Sequence, residues 1–330
     1  MKKTINWGIA GTGGISRAFA QGLKSAEGAS LYAVSSRTKA NAEHFAAKYG
    51  IKKAYADYAA MLDDSALDVV YIGVPHSAHC EMALKAFRAG KAVLCEKPAA
   101  INAAELSEMI QCSREHKVFF MEAMWSRFVP PVCKAREWLA DGLIGDLRIA
   151  QGNFCFRAEL PPEHRLLNIN LGGGALLDAG VYPISFASMA CGGKKPQHIS
   201  SALTLGETGV DETAAAIISY AGQKTAMISA ALSVAAQNDM WFYGSAAYIH
   251  LPSFVFCRSA NLVIPGRPVY HWEGDFRGNG YNYEAEAVMD CLREGRLENE
   301  IMPLDESLNI AETMDEIRRQ CGFKYPHEQQ

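Results

Sequence analysis

The sequence lacks long apolar runs and clusters of like charge. No stretch of ~18 residues is both apolar and uncharged, so we expect no membrane-spanning helix. The 32 Lys and Arg against 36 Asp and Glu give a formal net charge of −4 without a basic block, which argues against nucleic-acid binding. The segment after Met1–Thr4 has glycines in place of an apolar signal-peptide core. We therefore expect a cytoplasmic protein.

Paired cysteines and common metal or phosphate motifs are also missing. The nine Cys residues are scattered and include no C-x-x-C pair, as expected for reduced thiols in the cytoplasm. His76 and His79 have no acidic or Cys partner at a recognisable metal-ligand spacing, so we predict no metal site. No G-K-[ST] phosphate loop is present, which argues against an ATPase.

The first third of the chain does contain a regular alternation of strand-like and helix-like segments. The 330 residues suffice for two domains, because single cores stop growing near ~250–300 residues. Short apolar runs occupy residues 5–10, 31–34, 69–72, 92–95 and 119–121, and helix-forming stretches lie between them, at 15–26, 40–49, 78–89 and after Asn102. This order predicts a parallel sheet covered by helices on both faces.

A glycine cluster follows the first predicted strand and precedes the first predicted helix. It reads Gly11-Thr12-Gly13-Gly14-Ile15-Ser16. The first glycine permits a tight turn, the second allows a pyrophosphate to approach the backbone, and the helix start supplies oriented N–H groups. Ser16 stands where the usual pattern has Gly or Ala. We predict a dinucleotide site here, with a simple tight turn as the alternative.

The end of the second predicted strand indicates which nicotinamide cofactor binds. An acidic residue there would bind the 2′-hydroxyl of NAD, but the sequence has Ser36 and Arg37. A serine and a planar guanidinium suit the 2′-phosphate of NADP. We predict NADP as the cofactor. The alternative is NAD, with Arg37 as a solvated surface residue.

Two later segments resemble a known family. Cys95-Glu96-Lys97-Pro98 and the segment Gly172–Tyr182 together resemble the Gfo/Idh/MocA oxidoreductases. The likeness is closer still to the branch of dimeric dihydrodiol dehydrogenases, also described as NADP-dependent D-xylose dehydrogenases. Further matches are Arg37, Tyr71, His76, His79, Met124–Phe128, Gly145–Arg148 and Gly280–Ala285. These matches span nearly the whole chain in order.

The resemblance implies an α/β protein with two domains. Residues 1–123 would form an N-terminal Rossmann domain with a parallel sheet, and residues 124–330 an α/β domain with a large, mostly antiparallel open sheet. Strand-like segments at 214–220, 225–233 and 239–243 agree with the second domain. In the family the open sheet face often pairs with another subunit. We therefore expect a homodimer or a dimer of dimers through this sheet, which would also cover its surface.

The resemblance also assigns the chemistry, to Lys97, Tyr182 and Asp178. A dehydrogenase of this type needs a base that takes the hydroxyl proton as hydride leaves. Free tyrosine, with a pKa near ~10, is a poor base, but a neighbouring ammonium stabilises the phenolate. Tyr182 is therefore the predicted acid and base, with Lys97 as its electrostatic partner. Asp178, four residues before Tyr182, would share its helix face and orient the substrate hydroxyl or Lys97.

The remaining predicted site residues bind cofactor or substrate. The predicted cofactor site adds Tyr71, Val74, Pro75, His76, His79, Glu96, Trp125 and Arg127 to Lys97, Ser36, Arg37 and the glycine cluster. The aromatic residues predicted to face the substrate, beside Asp178 and Tyr182, are Trp125, Phe154, Phe256 and Phe276. Ordinary packing is the alternative for these aromatics, as it is for Tyr71, His79 and Tyr182. Phe256 stands where the dihydrodiol branch has Trp, and residues 155–171 also depart from that branch.

These assignments leave three functions open. We expect NAD(P)-dependent hydride transfer to or from a carbinol carbon of a small molecule, either a cyclic diol or an aldose sugar. A second interpretation is an inositol or other sugar dehydrogenase of the same family. The third is a cofactor-binding regulator without catalysis, since the family includes a repressor that retains the fold. The presence of both Lys97 and Tyr182 argues against the third interpretation.

Overall fold

The computed structural model describes residues 3–329, except the side chains of residues 327 and 329. This part of the chain divides into two compact units. The first contains the residues up to Ala100, Ala104–Phe128 and Arg277–Leu304, and the second contains Ile101–Ala103, Val129–Phe276 and the residues from Asp305 onward. No helix within residues 3–329 is long and apolar enough to cross a membrane.

The first unit is built on a six-stranded parallel sheet. Its strands are β1 (Ile5–Ala10), β2 (Ala29–Ser35), β3 (Lys53–Tyr55), β4 (Val69–Ile72), β5 (Ala92–Glu96) and β6 (Phe120–Ala123), in the spatial order β3-β2-β1-β4-β5-β6. The intervening helices are α1 (Gly14–Leu23), α2 (Lys39–Tyr49), α3 (Tyr58–Leu62), α4 (His79–Arg88) and α5 (Ala103–His116). The predicted parallel sheet is confirmed, with the short strand β3 and helix α3 as additions.

The burial of this sheet explains its sequence and locates a site. Every residue of β4 and β5 is buried, so both faces of these strands are covered, as is typical of parallel sheets. The chain order reverses between β1 and β4. Ligands of such sheets bind outside the carboxyl ends of the strands at this reversal. The turn after β1 and the loops after β4 and β5 are therefore where a cofactor is expected.

The first unit also includes a helix from near the end of the chain. Helix α8 (Tyr281–Glu294) packs on α1. At this contact Gly22 leaves no room for a side chain, since a Cβ would lie 2.5 Å from Asn279 Oδ1. Asn279 Nδ2 donates to the carbonyl oxygen of Ala18 at 2.8 Å. The predicted ranges were 1–123 and 124–330. In the structure the first unit also includes Arg277–Leu304, and the chain passes from the first unit to the second after Phe128.

The second unit is built on an eight-stranded mixed sheet. Its strands are β7 (Leu147–Cys155), β8 (His198–Leu205), β9 (Asp211–Tyr220), β10 (Lys224–Ala231), β11 (Met240–Gly244), β12 (Tyr248–Leu251), β13 (Ala260–Val263) and β14 (Tyr270–Trp272), in the order β14-β13-β12-β11-β7-β10-β9-β8. Only the β7–β10 pair is parallel within this sheet. The unit also contains α6 (Pro130–Ala140), α7 (Val181–Ala190) and α9, which runs from Leu304 to Gln320. The predicted mostly antiparallel sheet is confirmed.

One face of this sheet is covered and the other is exposed. Helix α7 packs against β7 and β10. On the opposite face a row of paired side chains crosses five strands: Ile217, Met227, Gln151, Trp241 and His250. Ile217 and Met227 are 51% and 43% exposed, and Trp241 stacks on His250 with ring centroids 3.7 Å apart. The open face is present, and its pairing with a second subunit stays a prediction.

Candidate functional site

The glycine turn after β1 is shaped to receive a ligand. Gly11 has a φ of +97°, and a Cβ there would lie 2.7 Å from the carbonyl oxygen of Gly73. A Cβ at Gly13 or Gly14 would meet no atom within 4 Å, so open space lies in front of both. Helix α1 begins at Gly14 and has no side-chain cap at Gly13. Its first N–H groups therefore face a position that an anionic pyrophosphate fits.

Ser16 explains how the turn departs from the usual third small residue. Its side chain is fully buried, and its Oγ donates to the carbonyl oxygen of Gly73 at 3.2 Å. Gly73 follows β4 directly and could not carry a side chain, since a Cβ would lie 2.6 Å from Ser16 Oγ. The serine thus ties the start of α1 to the end of β4 without filling the open side of the turn.

Ser36 and Arg37 lie where the sequence predicted, at the end of β2. The N–H of Gly11 donates to the carbonyl oxygen of Ser35 at 2.9 Å, and the hydroxyls of Thr12 and Ser36 are 3.4 Å apart. The glycine turn and the end of β2 are therefore neighbours. Arg37 is exposed beside them. The hydroxyls of Thr12 and Ser36 and an exposed guanidinium therefore lie where a phosphate group would find hydrogen-bond donors.

Glu96 fixes the backbone at Lys97. The Tyr71 hydroxyl donates to Glu96 Oε1 at 2.5 Å, and the Lys97 backbone N–H donates to Glu96 Oε2 at 3.2 Å. Tyr71 is itself held by Phe19, whose ring stacks on it at 3.7 Å. Lys97 is 9% exposed, and its peptide bond to Pro98 is cis. The Tyr71–Glu96 pair therefore positions the lysine segment at the carboxyl end of β5.

His79 links the loops after β4 and β5. Its Nε2 is 2.9 Å from the carbonyl oxygen of Val74, and its Nδ1 is 2.9 Å from that of Pro98. A neutral imidazole has one N–H and donates to one of these carbonyls at a time, whereas the protonated ring donates to both. His79 is fully buried, which supports the packing alternative for this residue. It acts on the site by holding the segment that follows Lys97.

A second carboxyl group lies close to Glu96. Glu284 of α8 is fully buried, and neither of its carboxyl oxygens has a hydrogen-bond partner within residues 3–329. Burial, and then the nearby charge of Glu96, hold the pKa of Glu284 well above its usual range. Burial and the same charge raise the pKa of Tyr281. The structure therefore favours the neutral form of Glu284.

The other predicted cofactor residues of the first unit are largely buried. Trp125 stacks on Tyr281 with ring centroids 4.8 Å apart. Arg127 is fully buried and its Nη1 donates to the carbonyl oxygen of Ile301 at 3.1 Å, so it has a structural contact that the sequence did not predict. His76 is 5% exposed, and its ring lies edge-on to His79. Val74 and Pro75 form the half-buried loop between β4 and this histidine pair.

In the second unit, Asp178 and Tyr182 belong to one buried helix. Residues 176–180 form a π turn that runs directly into α7, which begins at Val181. The predicted helix is present, but it contains a π turn, in which the Val181 N–H reaches the carbonyl oxygen of Leu176, five residues back. Tyr182 is 6% exposed and Asp178 is 7% exposed. Single π turns of this kind are frequent at functional sites.

Asp178 has a partner that the sequence did not identify. Arg165 Nη1 lies 3.0 Å from Asp178 Oδ1, and the arginine side chain is 45% exposed against 9% for the aspartate. The guanidinium therefore compensates a buried carboxylate and reaches the surface. Arg165 lies in the segment 155–171, which departs from the dihydrodiol branch. Only the fold brings it to Asp178, thirteen residues further on.

Phe154 is the centre of an aromatic cluster around Tyr182. The rings of Phe154 and Tyr182 meet edge-on with centroids 5.4 Å apart. Phe156, Phe254 and Phe256 surround Phe154 at 5.6, 6.4 and 6.3 Å. Phe256 is 60% exposed. The cluster therefore presents an apolar surface beside a buried phenol.

The predicted residues fall into two sets, one in each unit. The glycine turn, Lys97 and their neighbours belong to the first unit, and Asp178, Tyr182, Phe154 and Phe256 belong to the second. The other two predicted aromatics have different neighbours. Trp125 belongs to the first unit, and Phe276 packs under Arg258, whose guanidinium carbon is 3.5 Å from the ring centre.

Two family models match the chain. The Gfo/Idh/MocA model described as an oxidoreductase family with an NAD-binding Rossmann fold matches residues 5–124. The model of the Gfo/Idh/MocA C-terminal domain matches residues 132–250. The two ranges cover the parallel sheet and most strands of the second sheet.

Curated relatives match the chain over nearly its full length. The trans-1,2-dihydrobenzene-1,2-diol dehydrogenase of Xenopus laevis is 37% identical over 329 residues, which cover 97% of this chain and 99% of the relative. The Homo sapiens protein of the same name is 36% identical over 333 residues, which cover 98% and 99%.

Solved structures share the fold. The aldose-aldose oxidoreductase of Caulobacter crescentus, complexed with glycerol, has a TM-score of 0.88 at 23% identity over 96% of this chain and 97% of that one. The 3-ketoreductase KijD10 of Actinomadura kijaniata, in complex with NADP and TDP-benzene, has a TM-score of 0.85 at 23% identity over 97% and 98%.

Proposed function

Because this chain belongs to the Gfo/Idh/MocA oxidoreductase family, we propose that it transfers hydride between NADP and a carbinol carbon of a cyclic diol or an aldose sugar. The family resemblance stated from the motifs is confirmed, and so is an NAD(P)-binding Rossmann domain. The observation that carries the finer proposal is the aromatic cluster at Tyr182. An apolar wall beside a buried hydroxyl suits a ring that has both C–H faces and hydroxyl groups.

The protein's own chemical task is proton transfer. A bound nicotinamide supplies the site that accepts or gives hydride. Tyr182 takes the proton of the substrate hydroxyl during oxidation and returns it during reduction. The family resemblance implies that Lys97 is the cationic partner of this proton transfer, and the proposal keeps that role. Asp178, held by Arg165 at 3.0 Å, orients the substrate hydroxyl.

The relatives and the neighbours suggest two substrate classes. The curated relatives are named for a cyclic diol, trans-1,2-dihydrobenzene-1,2-diol. Some structural neighbours are named for sugars, namely an aldose-aldose oxidoreductase and a levoglucosan dehydrogenase. Phe154 and Phe256 would stack on either ring. The half-exposed Arg165 favours a substrate with hydroxyl groups at the ring edge, because its free guanidinium N–H groups donate hydrogen bonds.

We assign NADP as the preferred cofactor. Ser36 and Arg37 follow β2 where an NAD-specific site would have an acid. An exposed guanidinium beside the hydroxyls of Thr12 and Ser36 binds an added phosphate and gains little from a free 2′-hydroxyl. The preference is therefore expected in cofactor affinity, with similar turnover for NAD at saturation.

We also propose that the open sheet pairs two subunits. Its exposed face carries Ile217, Met227 and Trp241 in one row, with the polar Gln151 between Met227 and Trp241. Large apolar side chains exposed on one face, together with polar neighbours, are typical of an interface. The proposal includes the dimer of dimers as a larger assembly.

The function is tested by a substrate screen with both cofactors. Purified protein is assayed by nicotinamide absorbance against pentoses, hexoses, inositols and cyclic diols, each with NADP and with NAD. We expect turnover with at least one diol or aldose, and a higher kcat/KM with NADP. Cofactor binding without turnover on any substrate would contradict the proposal and favour the regulator. An equal kcat/KM with both cofactors would contradict the NADP assignment.

Tyr182→Phe tests the mechanism once a substrate is known. Loss of the phenolic proton should lower kcat by about 10²- to 10⁴-fold, because general acid–base catalysis contributes that much. The dissociation constant for NADP should stay within about twofold. Tyr248→Phe on β12 serves as the matched control and should leave kcat unchanged. Unchanged turnover in the Tyr182 variant would remove this residue from the mechanism.

A further inference from the structure

A fully buried aspartate contacts the start of the helix that carries Asp178 and Tyr182. Asp211 is the first residue of β9 and is 0% exposed. Its Oδ2 accepts a hydrogen bond from the Leu176 backbone N–H at 2.6 Å. Its Oδ1 has no hydrogen-bond partner in the described part of the chain. A carboxyl group is therefore buried at the N-terminal end of the π turn.

The glycine loop before this helix is closed around the same carboxyl group. Gly174 has a φ of +126°, and a Cβ there would collide with Asp211 Oδ1. The Gly174 N–H donates to the carbonyl oxygen of Leu166 at 2.9 Å, and its own carbonyl accepts from the Asp178 N–H at 3.2 Å. The loop is thus packed between Asp211 and the segment that contains Arg165.

The C-terminal segment holds this loop from another side. The Tyr325 hydroxyl donates to the carbonyl oxygen of Gly173 at 2.7 Å, and Tyr325 is fully buried. Arg318 of α9 lies over the Tyr325 ring at 5.2 Å and forms ion pairs with Asp315 and Glu328. Two separate parts of the second unit therefore fix one loop.

We propose that Asp211 is a positioning residue for the reaction proposed above: its carboxylate fixes the Gly172–Gly174 loop and the first turn of the helix, and thereby the positions of Asp178 and Tyr182. Asp211 belongs neither to the aromatic cluster nor to the proton-transfer group. It is fully buried and acts through the backbone of the helix. This role of Asp211 rests on the proposed function only for its kinetic consequence.

The electrostatics agree with this geometry. Burial raises the pKa of Asp211 to about 7, while the backbone N–H donors of Leu176 and Ala175 and the charge of Arg318 oppose the rise. The nearby ionisable groups are Arg318 and Tyr325. Burial, and then the charge of Asp211, raise the pKa of Tyr325. Opening of the first turn would return this carboxyl group to water and to its lower ordinary pKa. Rising pH should therefore favour opening of the turn up to neutrality.

Hydrogen exchange followed by mass spectrometry tests the proposal without any substrate. The wild type, Asp211→Asn and the control Asp146→Asn, whose side chain is 78% exposed, are compared at one pH. We expect about tenfold faster exchange over residues 174–180 in Asp211→Asn, since a charge-assisted hydrogen bond is lost, and no change in α8. The control should exchange like the wild type. Wild-type exchange in the Asp211→Asn helix would overturn the proposal.

Two further measurements keep the outcome decisive. If Asp211→Asn does not fold, the wild type alone is compared at pH 6 and pH 8. Protection of the Leu176 amide, corrected for intrinsic exchange, should fall between pH 6 and pH 8, and a flat protection factor would overturn the proposal. With a substrate from the screen, Asp211→Asn should lower kcat several-fold and leave NADP affinity unchanged. If the substrate screen finds no turnover, only the kcat comparison is lost, because the hydrogen-exchange measurement needs no substrate.

Discussion

The two glycine-rich segments of this protein precede helices in different units and use glycine for opposite purposes. In the turn Gly11–Gly14, a Cβ at either of the last two positions would meet no atom within 4 Å. In the loop Gly172–Gly174, a Cβ at Gly173 would lie 2.7 Å from the carbonyl oxygens of Arg165 and Leu166. The first segment keeps space open for a ligand. The second lets the backbone pack tightly under the proposed catalytic helix.

Glycine therefore serves ligand binding in the first segment and backbone positioning in the second, although the two segments have a similar composition. Glycine in the first turn leaves N–H groups facing a site for a phosphate, so an added methyl group would compete with the ligand. Glycine in the second loop allows a positive φ and close backbone packing, so an added methyl group would compete with the protein itself. Substitutions at the two segments should therefore affect different measurements.

The largest effect is expected at Gly174. A Gly174→Ala side chain would collide with Asp211 Oδ1 at a φ of +126°, which adds overpacking to backbone strain. We expect the free energy of unfolding to fall by about 3 kcal/mol or more, measured by denaturant unfolding. The control is Gly192→Ala, where φ is +83° and no atom lies within 4 Å. It should cost about 1 kcal/mol. Equal losses in the two variants would contradict the packing role of this loop.

A smaller and different effect is expected at Gly13. Its φ of −71° suits alanine, and the added methyl group meets no protein atom. Gly13→Ala should therefore keep the wild-type melting temperature. It should weaken both NADP and NAD by about tenfold, because the methyl group occupies space that the pyrophosphate needs. Fluorescence titration with the reduced cofactors measures this. Unchanged affinity would place the pyrophosphate elsewhere.

The local part of this comparison was predictable from sequence and the rest was not. The strand, the glycine turn and helix α1 are contiguous, so their residue pattern predicted both the structure and the cofactor site. Arg37 and the motif around Lys97 were likewise located from their places after predicted strands. These features depend on neighbours within a few residues, which a single sequence displays.

The contacts that position the second set of residues depend on the tertiary fold. Asp211 reaches the Leu176 N–H across 35 residues, and nothing around it distinguishes it from an ordinary aspartate at a strand start. The Arg165–Asp178 pair also joins a loop to a helix. Helix α8 shows the same limit, because its return to the first unit follows from packing on Gly22. The π turn at Asp178 was missed since its residues also fit an ordinary helix.

The two buried carboxyl groups, Asp211 in the second unit and Glu284 in the first, differ in their hydrogen bonds. Asp211 accepts a backbone hydrogen bond, whereas neither oxygen of Glu284 has a partner in the described chain. The pKa of Glu284 is raised by burial and by Glu96, so the folded state binds a proton that the unfolded state releases above its ordinary pKa. Stability should therefore decrease as the pH rises above that ordinary value.

Glu284→Gln removes this titration and keeps the shape of the neutral acid. Its melting temperature should exceed that of the wild type by about 3 °C at pH 8, and the difference should shrink towards pH 5. The control Glu108→Gln changes an exposed carboxylate on α5 and should show no such pH dependence. A difference between Glu284→Gln and the wild type that stays constant from pH 5 to pH 8 would mean that Glu284 is ionised in the folded protein. In that case the first unit would hold a buried negative charge at Glu284 with no hydrogen-bond partner in the described chain, and burial alone would not keep a carboxyl group neutral in this fold.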